Sequence, residues 1–299
     1  MKKLQYKFEA ICLRFILALL EALRADYAST LSGLFFRFIG PLLPVSRVAY
    51  RNLELAMPDL DSTKRKHIVR DMWENLGRNL GELPHLATLK ENTPQGPGFE
   101  IQGGHYLRPL LEKNSSVLFI SGHIGNWELL PVAIARYGLS FASFYRAANN
   151  PDVNQIIIEM RNKALGTKVM PFFTKSMRGM FSAITHVIQG GRLGILVDQK
   201  MNNGIEASFF GHSAMTTPAA AIIALQYHCP VILGYVKRLG PARLRVVVEA
   251  PLLLPDTGDK QEDIRLLTQI FNNHLEVWIR QHPESWLWLH KRWPKDYYK

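Results

Sequence analysis

One short segment combines residue types that can carry out acid–base chemistry. In residues 121–128, SGHIGNWE, a histidine precedes a glutamate by five positions. Five positions of a continuous helix turn through about 500°, so His123 and Glu128 would point roughly 140° apart. They can therefore meet only if His123 lies in a turn and Glu128 in the first turn of a following helix. The two glycines allow such a turn, and Asn126 is a suitable N-cap that would make Glu128 the second helical residue.

This geometry would produce a general base. A carboxylate in the first turn of a helix is favoured as the anion by the helix dipole. Bonded to one imidazole nitrogen, it fixes the tautomer, leaves the other nitrogen free to accept a proton, and stabilises the resulting imidazolium. A substrate hydroxyl at that nitrogen becomes the nucleophile. We therefore predict His123 and Glu128 as a catalytic pair; the alternative is a structural turn in which Glu128 only complements the dipole.

The surrounding pattern indicates how this segment is positioned. It follows the apolar run 117–121, which is typical of a buried strand, and α/β proteins usually place active sites at the carboxyl ends of strands. Further strands are predicted at 141–145, 168–170, 193–198, 231–236 and 244–249, and helices at 126–137, 152–165, 176–189, 217–227 and 262–280. This alternation predicts an α/β fold with a mixed, largely parallel sheet and flanking helices.

The first ninety residues are predicted to be helical and to precede the α/β domain of residues 91–299. Phe8–Leu23 and Leu31–Val45 are strongly apolar but carry charges, and their uncharged runs are shorter than the ~20 residues of a transmembrane helix. We expect helices that lie in or against a membrane interface; an ordinary core hairpin and a marginal single span are the alternatives. A third, amphipathic helix should start near Asp61 or Ser62, and 92–104, rich in glycine and proline, is expected to be a connector.

The composition limits the choice of partner. The chain has 299 residues, a net charge of +11 and 47% hydrophobic residues, which fits a folded protein rather than a disordered one. Its positive charge favours an acidic partner: nucleic acid, an anionic membrane or a phosphorylated substrate. The sequence has no glycine-rich phosphate loop and no metal-ligand spacing, so no cofactor is expected.

Several blocks together resemble a known family. HIGNWELL, residues 123–130, resembles the H-x4-D/E motif of lysophospholipid-type acyltransferases and is most similar to the late acyltransferases of lipid A biosynthesis. In family order follow Tyr145-Arg146 with Asn149-Asn150-Pro151, Leu196-Val197-Asp198-Gln199, Phe209-Phe210-Gly211, and a WLWLHKRW tail at 286–293. Ala147 stands where the family usually has proline, and Leu287 and Leu289 also depart from its pattern.

The resemblance implies a reaction and a set of site residues. The histidine would deprotonate a hydroxyl of a lipid A precursor, of the Kdo-bearing lipid IVA type, and that oxygen would attack the thioester of an acyl-acyl carrier protein. Acyl carrier protein, the glycolipid and a membrane surface are the implied partners, and the bacterial inner membrane, with the active site on its cytoplasmic side, is the implied location. Substrate-side roles are implied for Arg146, Asn149, Asn150, Asp198, Gln199, Phe209, Phe210 and Gly211.

Each of these substrate-side roles has a structural alternative. Arg146 would bind an anionic group or the oxyanion, or form a surface ion pair. Asn149 and Asn150 would contact substrate or cap the next helix. Asp198 and Gln199 would face substrate or end a strand. The Phe209–Gly211 block would line an acyl channel, or be core and turn.

Two other classes of function compete with this interpretation. The charge and the tail, where tryptophans alternate with lysine and arginine, would suit a nucleic-acid-binding module, although no motif of that class is present. Gly211-His212-Ser213 begins like a nucleophile elbow of a serine hydrolase but lacks the closing glycine. The tail also suits a membrane interface or the acidic surface of a carrier protein.

Overall fold

A mixed sheet organises the fold of this protein, seen in a computed structural model that describes residues 2–91, 96–113, 116–166 and 170–298. Within these ranges eight strands follow the order β1-β2-β10-β9-β3-β6-β4-β5, and only the β9–β10 pair is antiparallel. They are β1 (Lys90–Glu91), β2 (Gly98–Gln102), β3 (Leu118–Ser121), β4 (Ala142–Tyr145), β5 (Phe172–Thr174), β6 (Leu193–Leu196), β9 (Val231–Gly240) and β10 (Arg243–Val248). A separate antiparallel hairpin joins β7 (Ile205–Phe209) and β8 (His212–Thr216).

The described helices precede the sheet and cover it. They are α1 (Lys2–Ala22), α2 (Ala25–Ile39), α3 (Ser46–Ala56), α4 (Ser62–Glu82), α5 (Arg108–Lys113), α6 (Leu129–Arg136), α7 (Pro151–Leu165), α8 (Met177–Ile188), α9 (Ala219–Gln226) and α10 (Lys260–Gln281). Asp61 caps α4 by accepting a hydrogen bond from the Lys64 amide at 2.8 Å, as its sequence position predicts. Asn150 and Ser176 cap α7 and α8 in the same way.

The α/β class and the helical character of the first ninety residues are confirmed. Residues 92–95 of the predicted connector lie outside the described ranges, and the prediction is wrong for part of the rest, because β2 lies within it and pairs with β10. The strand predicted at 168–170 falls mostly on residues outside the described ranges, and the strand found nearby is β5. The β7–β8 hairpin was missed, since its alternating pattern is short and its turn lacks a strong signal. The division at residue 90 stays a prediction, although one core cluster joins Met72 and Trp73 of α4 to Leu233 of the sheet.

The outer sides of α1, of α2 and of the short turn that follows α2 carry apolar side chains that the protein itself does not cover. We call this surface the N-terminal apolar face, and it comprises Leu4, Phe8, Ile11, Phe15, Leu19, Leu31, Phe35, Phe38 and Leu42, each more than half exposed. Within the described ranges no single helix is long and apolar enough to cross a membrane. The helical segments 25–42 and 46–56, which meet at an angle of 85°, are together long and apolar enough, by length and composition alone.

Candidate active site

His123 lies in a tight turn directly after β3. Gly125 in this turn has a φ of +60°, and a side chain there would collide with the carbonyl oxygen of Val236, because a Cβ would lie 1.9 Å from it. The Gly125 carbonyl accepts a hydrogen bond from Asn79 of α4 at 2.7 Å. The His123 carbonyl accepts one from the amide of Leu287 at 3.1 Å. The turn is thus held between α4 and the carboxyl-terminal tail.

The imidazole of His123 is bonded to Asp198, not to Glu128. Asp198 Oδ1 lies 2.8 Å from His123 Nδ1, and Oδ2 accepts from the His123 amide and from Trp286 Nε1, each at 2.8 Å. β3 and β6 are neighbouring parallel strands that pair Ser121 with Leu196, so the residues that follow them meet at one edge of the sheet. Because a carboxylate only accepts, Nδ1 donates and Nε2 carries the free lone pair.

Asp198 is fully buried, and its charge is stabilised by the groups around it. Burial alone would raise the pKa of this carboxyl, but the charge of His123 and the hydrogen bonds from its ring and amide lower the pKa well below its usual range. Asp198 therefore stays ionised at neutral pH and can stabilise an imidazolium at His123.

The predicted bond between His123 and Glu128 is wrong. Glu128 forms a two-point ion pair with Arg161 of α7, with Nη2–Oε1 and Nε–Oε2 distances of 2.6 and 2.8 Å. Helix α6 begins only at Leu129, because Asn126 does not cap it: the Asn126 amide is buried and donates to Glu82 at 2.8 Å. Glu128 consequently precedes the helix and is not its second residue.

The free nitrogen of His123 faces a polar group. Gln199 Nε2 lies 3.4 Å from His123 Nε2, and Gln199 Oε1 accepts a hydrogen bond from Lys175 Nζ at 3.0 Å. The rings of Trp127 and His290 lie 5.1 and 6.3 Å from the His123 ring, centroid to centroid. Burial lowers the pKa of His290 to about 4, so this second imidazole is neutral at pH 7.

The remaining predicted residues divide between the site and the scaffold. Arg146 and Asn149 are exposed in the loop after β4. Asn150 caps α7 and donates to the Tyr6 carbonyl and to Glu9, which fits the capping alternative.

The Phe209–Gly211 block also fits its structural alternative, which is core and turn. Phe209 and Phe210 are buried in the main core, Phe209 packs against Trp286 and Trp293, and Gly211, with a φ of +75°, forms the hairpin turn.

A narrow apolar cavity of about 100 Å³ lies behind the catalytic turn, between α6, α7 and the sheet. The Phe209–Gly211 block does not line it. Its wall is formed mainly by the apolar residues Phe119, Leu130, Phe141, Phe144, Leu196 and Val247. Ser121, Trp127 and the Glu128–Arg161 ion pair line it as well, so the cavity reaches the residues on both sides of His123.

The sequence reasoning missed three groups near the reaction centre: Arg161, Lys175 and the buried ring of His290. Arg161 and Lys175 stand in no recognisable sequence pattern, whereas His290 belongs to the tail block, whose composition suits a surface. Within the described ranges, no three histidine, cysteine, aspartate or glutamate side chains converge on a position that would hold a metal ion.

A buried, ionised aspartate bonded to a partly exposed histidine near an apolar cavity, with no protein nucleophile required, is an arrangement suited to acyl transfer to a hydroxyl. Comparison with known proteins agrees with this class. The model of the bacterial lipid A biosynthesis acyltransferase family matches residues 2–295, so the chain belongs to that family and is an acyltransferase.

Individual relatives are more distant. The chain is 24% identical over 268 residues to lipid A biosynthesis acyltransferase 2 of Shigella flexneri, covering 85% of this chain and 80% of that protein. Among solved structures it is similar to the 1-acyl-sn-glycerophosphate acyltransferase of Thermotoga maritima, at 11% identity and a TM-score of 0.38, over 91% of this chain and 98% of the other.

Proposed function

We propose that this protein transfers a fatty acyl chain from acyl-acyl carrier protein to a hydroxyl of a lipid A precursor of the Kdo-bearing lipid IVA type, in lipopolysaccharide biosynthesis. The observation that carries the proposal is the His123–Asp198 pair, which leaves His123 Nε2 as the base in a turn whose neighbours Ser121 and Trp127 line an apolar cavity. Membership of the lipid A biosynthesis acyltransferase family supports the acceptor class.

The proposed reaction follows from the hydrogen bonds of His123. The acceptor hydroxyl donates to Nε2, and as its oxygen attacks the thioester carbonyl, His123 takes the proton while Asp198 stabilises the imidazolium. The tetrahedral intermediate collapses and breaks the carbon–sulfur bond. The imidazolium then returns its proton to the leaving thiolate, which gives the ester and the free thiol of the carrier protein.

Glu128 and Arg161 have a proposed role on the opposite side of the reacting carbonyl. Glu128 cannot orient His123, because both its oxygens are bonded to Arg161. Burial alone would lower the pKa of Arg161, but the hydrogen bonds and charge of Glu128 raise it, which keeps the guanidinium charged. We assign Glu128 to the catalytic machinery as the group that holds Arg161 at the cavity, where a cation would stabilise the developing oxyanion.

The acyl chain is assigned to the cavity between α6 and the sheet, whose volume of about 100 Å³ has to widen to take a whole fatty chain. Phenylalanine, leucine and valine side chains dominate its wall, so a hydrocarbon chain gains by leaving water, at about 25 cal/mol per Å² of apolar surface buried. The thioester would then lie where the cavity meets Trp127 and Glu128, close to His123. We expect chain length to be set by the side chains that close this cavity.

The proposed location is the cytoplasmic side of the bacterial inner membrane, and the N-terminal apolar face supports the membrane contact itself. A surface with Phe8, Phe15, Phe35 and Phe38 more than half exposed is costly in water and favourable at an acyl boundary. The net charge of +11 adds attraction to anionic lipids.

The serine-hydrolase alternative gains no support, because the Ser213 hydroxyl donates to Glu206 within the β7–β8 hairpin.

The test is an acyl-transfer assay with product masses. Purified full-length protein is incubated in detergent with acyl-acyl carrier proteins of several chain lengths and one of three acceptors: Kdo-bearing lipid IVA, lipid IVA without Kdo, or lysophosphatidic acid. We expect one added acyl chain on the Kdo-bearing glycolipid and none with His123→Ala. Transfer to lysophosphatidic acid but not to either glycolipid would overturn the assignment of the acceptor.

A further inference from the structure

Four neighbouring parallel strands present polar residues at the same edge of the sheet. In spatial order, β3 is followed by His123, β6 by Asp198 and Gln199, β4 by Arg146 and β5 by Lys175. Tyr145 pairs with Thr174 across β4 and β5, and the Lys175 amide donates to the Tyr145 carbonyl at 3.3 Å. Arg146 and Lys175 therefore leave their strands side by side, next to the catalytic pair.

Lys175 is directly connected to the reaction centre. Its ammonium donates to Gln199 Oε1 at 3.0 Å, and the amide nitrogen of the same glutamine lies 3.4 Å from His123 Nε2. Although the residue as a whole is exposed, its ammonium is partly shielded, and this shielding lowers the pKa of Lys175. Attraction by Asp198 opposes that shift, and repulsion by Arg146 adds to it. The two cations are thus close enough to repel each other.

Neither cation has a carboxylate partner in the part of the chain that the structure describes. Among the described residues, no acidic oxygen forms an ion pair with Lys175 or Arg146, whereas the arginines deeper in the protein, Arg161 and Arg238, are paired with Glu128 and Glu82. Asp198, which attracts Lys175, is already engaged by His123 and Trp286. Two like charges held together without a counter-ion favour the binding of an anion between them.

We propose that Lys175 and Arg146 form a phosphate subsite beside the hydroxyl that His123 activates. This inference rests on the proposed function and extends it. The guanidinium can bind two phosphate oxygens in parallel, and the ammonium supplies a point charge on the side toward Gln199. The phosphate belongs either to the acidic glycolipid acceptor or to the phosphopantetheine arm of the donor. In the second case the arm has to fold back, because its phosphate and its thioester are at opposite ends.

The main test compares Lys175→Gln with Lys175→Arg and with a matched lysine elsewhere. Lys260, exposed at the start of α10, serves as the control because it is far from the site. Leu275 of the same helix lies beside Gly122 of the catalytic turn, and fifteen helical residues place Lys260 about 22 Å from Leu275. Loss of one charge-assisted contact should raise the KM for the phosphorylated substrate about tenfold with kcat within about threefold. Lys175→Arg should restore most of the loss, and Lys260→Gln should match the wild type.

Two substrate pairs identify the source of the phosphate. If the acceptor supplies it, Lys175→Gln raises the KM for the phosphorylated glycolipid and leaves that for its dephosphorylated form unchanged. If the donor supplies it, the KM for acyl-acyl carrier protein rises and that for a phosphate-free acyl thioester of N-acetylcysteamine does not. Unchanged KM values for all four substrates, or equal losses with phosphorylated and phosphate-free forms, would overturn the subsite.

A direct binding measurement separates this proposal from the proposed function. Inorganic pyrophosphate titrated into the full-length wild-type protein should give a calorimetric binding signal that Lys175→Gln weakens about tenfold and Lys260→Gln leaves intact. If the wild type binds pyrophosphate in this way but transfers no acyl chain, the proposed function fails and the subsite stands. Pyrophosphate binding that Lys175→Gln leaves unchanged would contradict the subsite alone.

Discussion

Replacing Asp198 with asparagine changes the charge of the side chain but hardly its shape. Three N–H groups converge on the carboxylate: Nδ1 and the amide of His123, and Nε1 of Trp286, each at 2.8 Å. If the asparagine oxygen keeps the Nδ1 contact, its NH2 group faces the other two donors. If the asparagine oxygen instead accepts from the His123 amide and Trp286 Nε1, its NH2 group faces Nδ1. The ring proton then moves to Nε2, and the base is lost.

Both arrangements lead to a large loss of activity. General-base catalysis is worth about 10²–10⁴-fold in rate, which at about 1.4 kcal/mol per tenfold is roughly 3–5 kcal/mol of activation free energy. We therefore expect Asp198→Asn to lower kcat by about 10²–10⁴-fold. KM should change little, because Asp198 is buried behind His123 and lies outside the wall of the cavity. The unfolding free energy should fall by about 1–3 kcal/mol, since at least one buried N–H loses its acceptor.

The assay is acyl transfer under saturating donor and acceptor, with thermal unfolding measured on the same samples. Asp263→Asn is the matched control: this aspartate is also buried, accepts hydrogen bonds from Thr257 and lies on α10 away from the catalytic turn. It should lose stability without the large loss of kcat. A folded Asp198→Asn protein with kcat within about threefold of the wild type would refute the role assigned to Asp198.

Three further outcomes are expected. Glu128→Gln should lower kcat about 10–10²-fold through its arginine partner, less than Asp198→Asn; an equal or larger loss would restore Glu128 as the main partner of the histidine. Because burial lowers the pKa of His290 to about 4, the unfolded chain binds more protons than the folded one below about pH 6.5. Stability should therefore fall from pH 6.5 to 4, and His290→Asn should show a smaller drop in Tm; an unchanged drop would exclude this cause. Phe8→Ser with Phe38→Ser should reduce sedimentation with anionic vesicles, while Leu253→Ser, an exposed residue elsewhere, should not; equal binding by all would contradict the membrane face.

The general pattern of the sequence was enough to predict the class of fold and the place of the histidine. Runs such as 117–121 and 193–198 are apolar over the length of a buried strand, and strands alternating with helices define an α/β sheet. The turn residues at 122 and 125 then place His123 at a strand end. These signals are local, and each depends only on a few residues in sequence.

The partner of His123 required information that local spacing does not contain. Helix geometry at residues 123–128 relates only neighbours in the chain, whereas Asp198 follows β6, which pairs with β3 in the sheet. A usable signal existed: Asp198 ends the predicted strand at 193–198, and such strand ends gather at one edge of a parallel sheet. The order of strands, which would have made the pairing clear, cannot be read from the strands one at a time.

The cavity and the cations beside the site illustrate the same limit. Phe209 and Phe210 are as apolar as any channel wall, but they belong to a hairpin that packs on the tryptophans of the tail. The actual cavity is formed by residues from many elements whose types are typical of any core. Lys175 follows a strand of three residues, and its closeness to Gln199 depends on the pairing of β4, β5 and β6.

The central claim is that His123, held by Asp198, is the base that starts acyl transfer to a lipid hydroxyl. The measurement that tests it most directly is the turnover number of His123→Gln at saturating acyl-acyl carrier protein and acceptor, with Tm recorded beside it. The account predicts a loss of about 10²–10⁴-fold in kcat at nearly unchanged Tm. A folded variant that retains kcat within about tenfold of the wild type would contradict it.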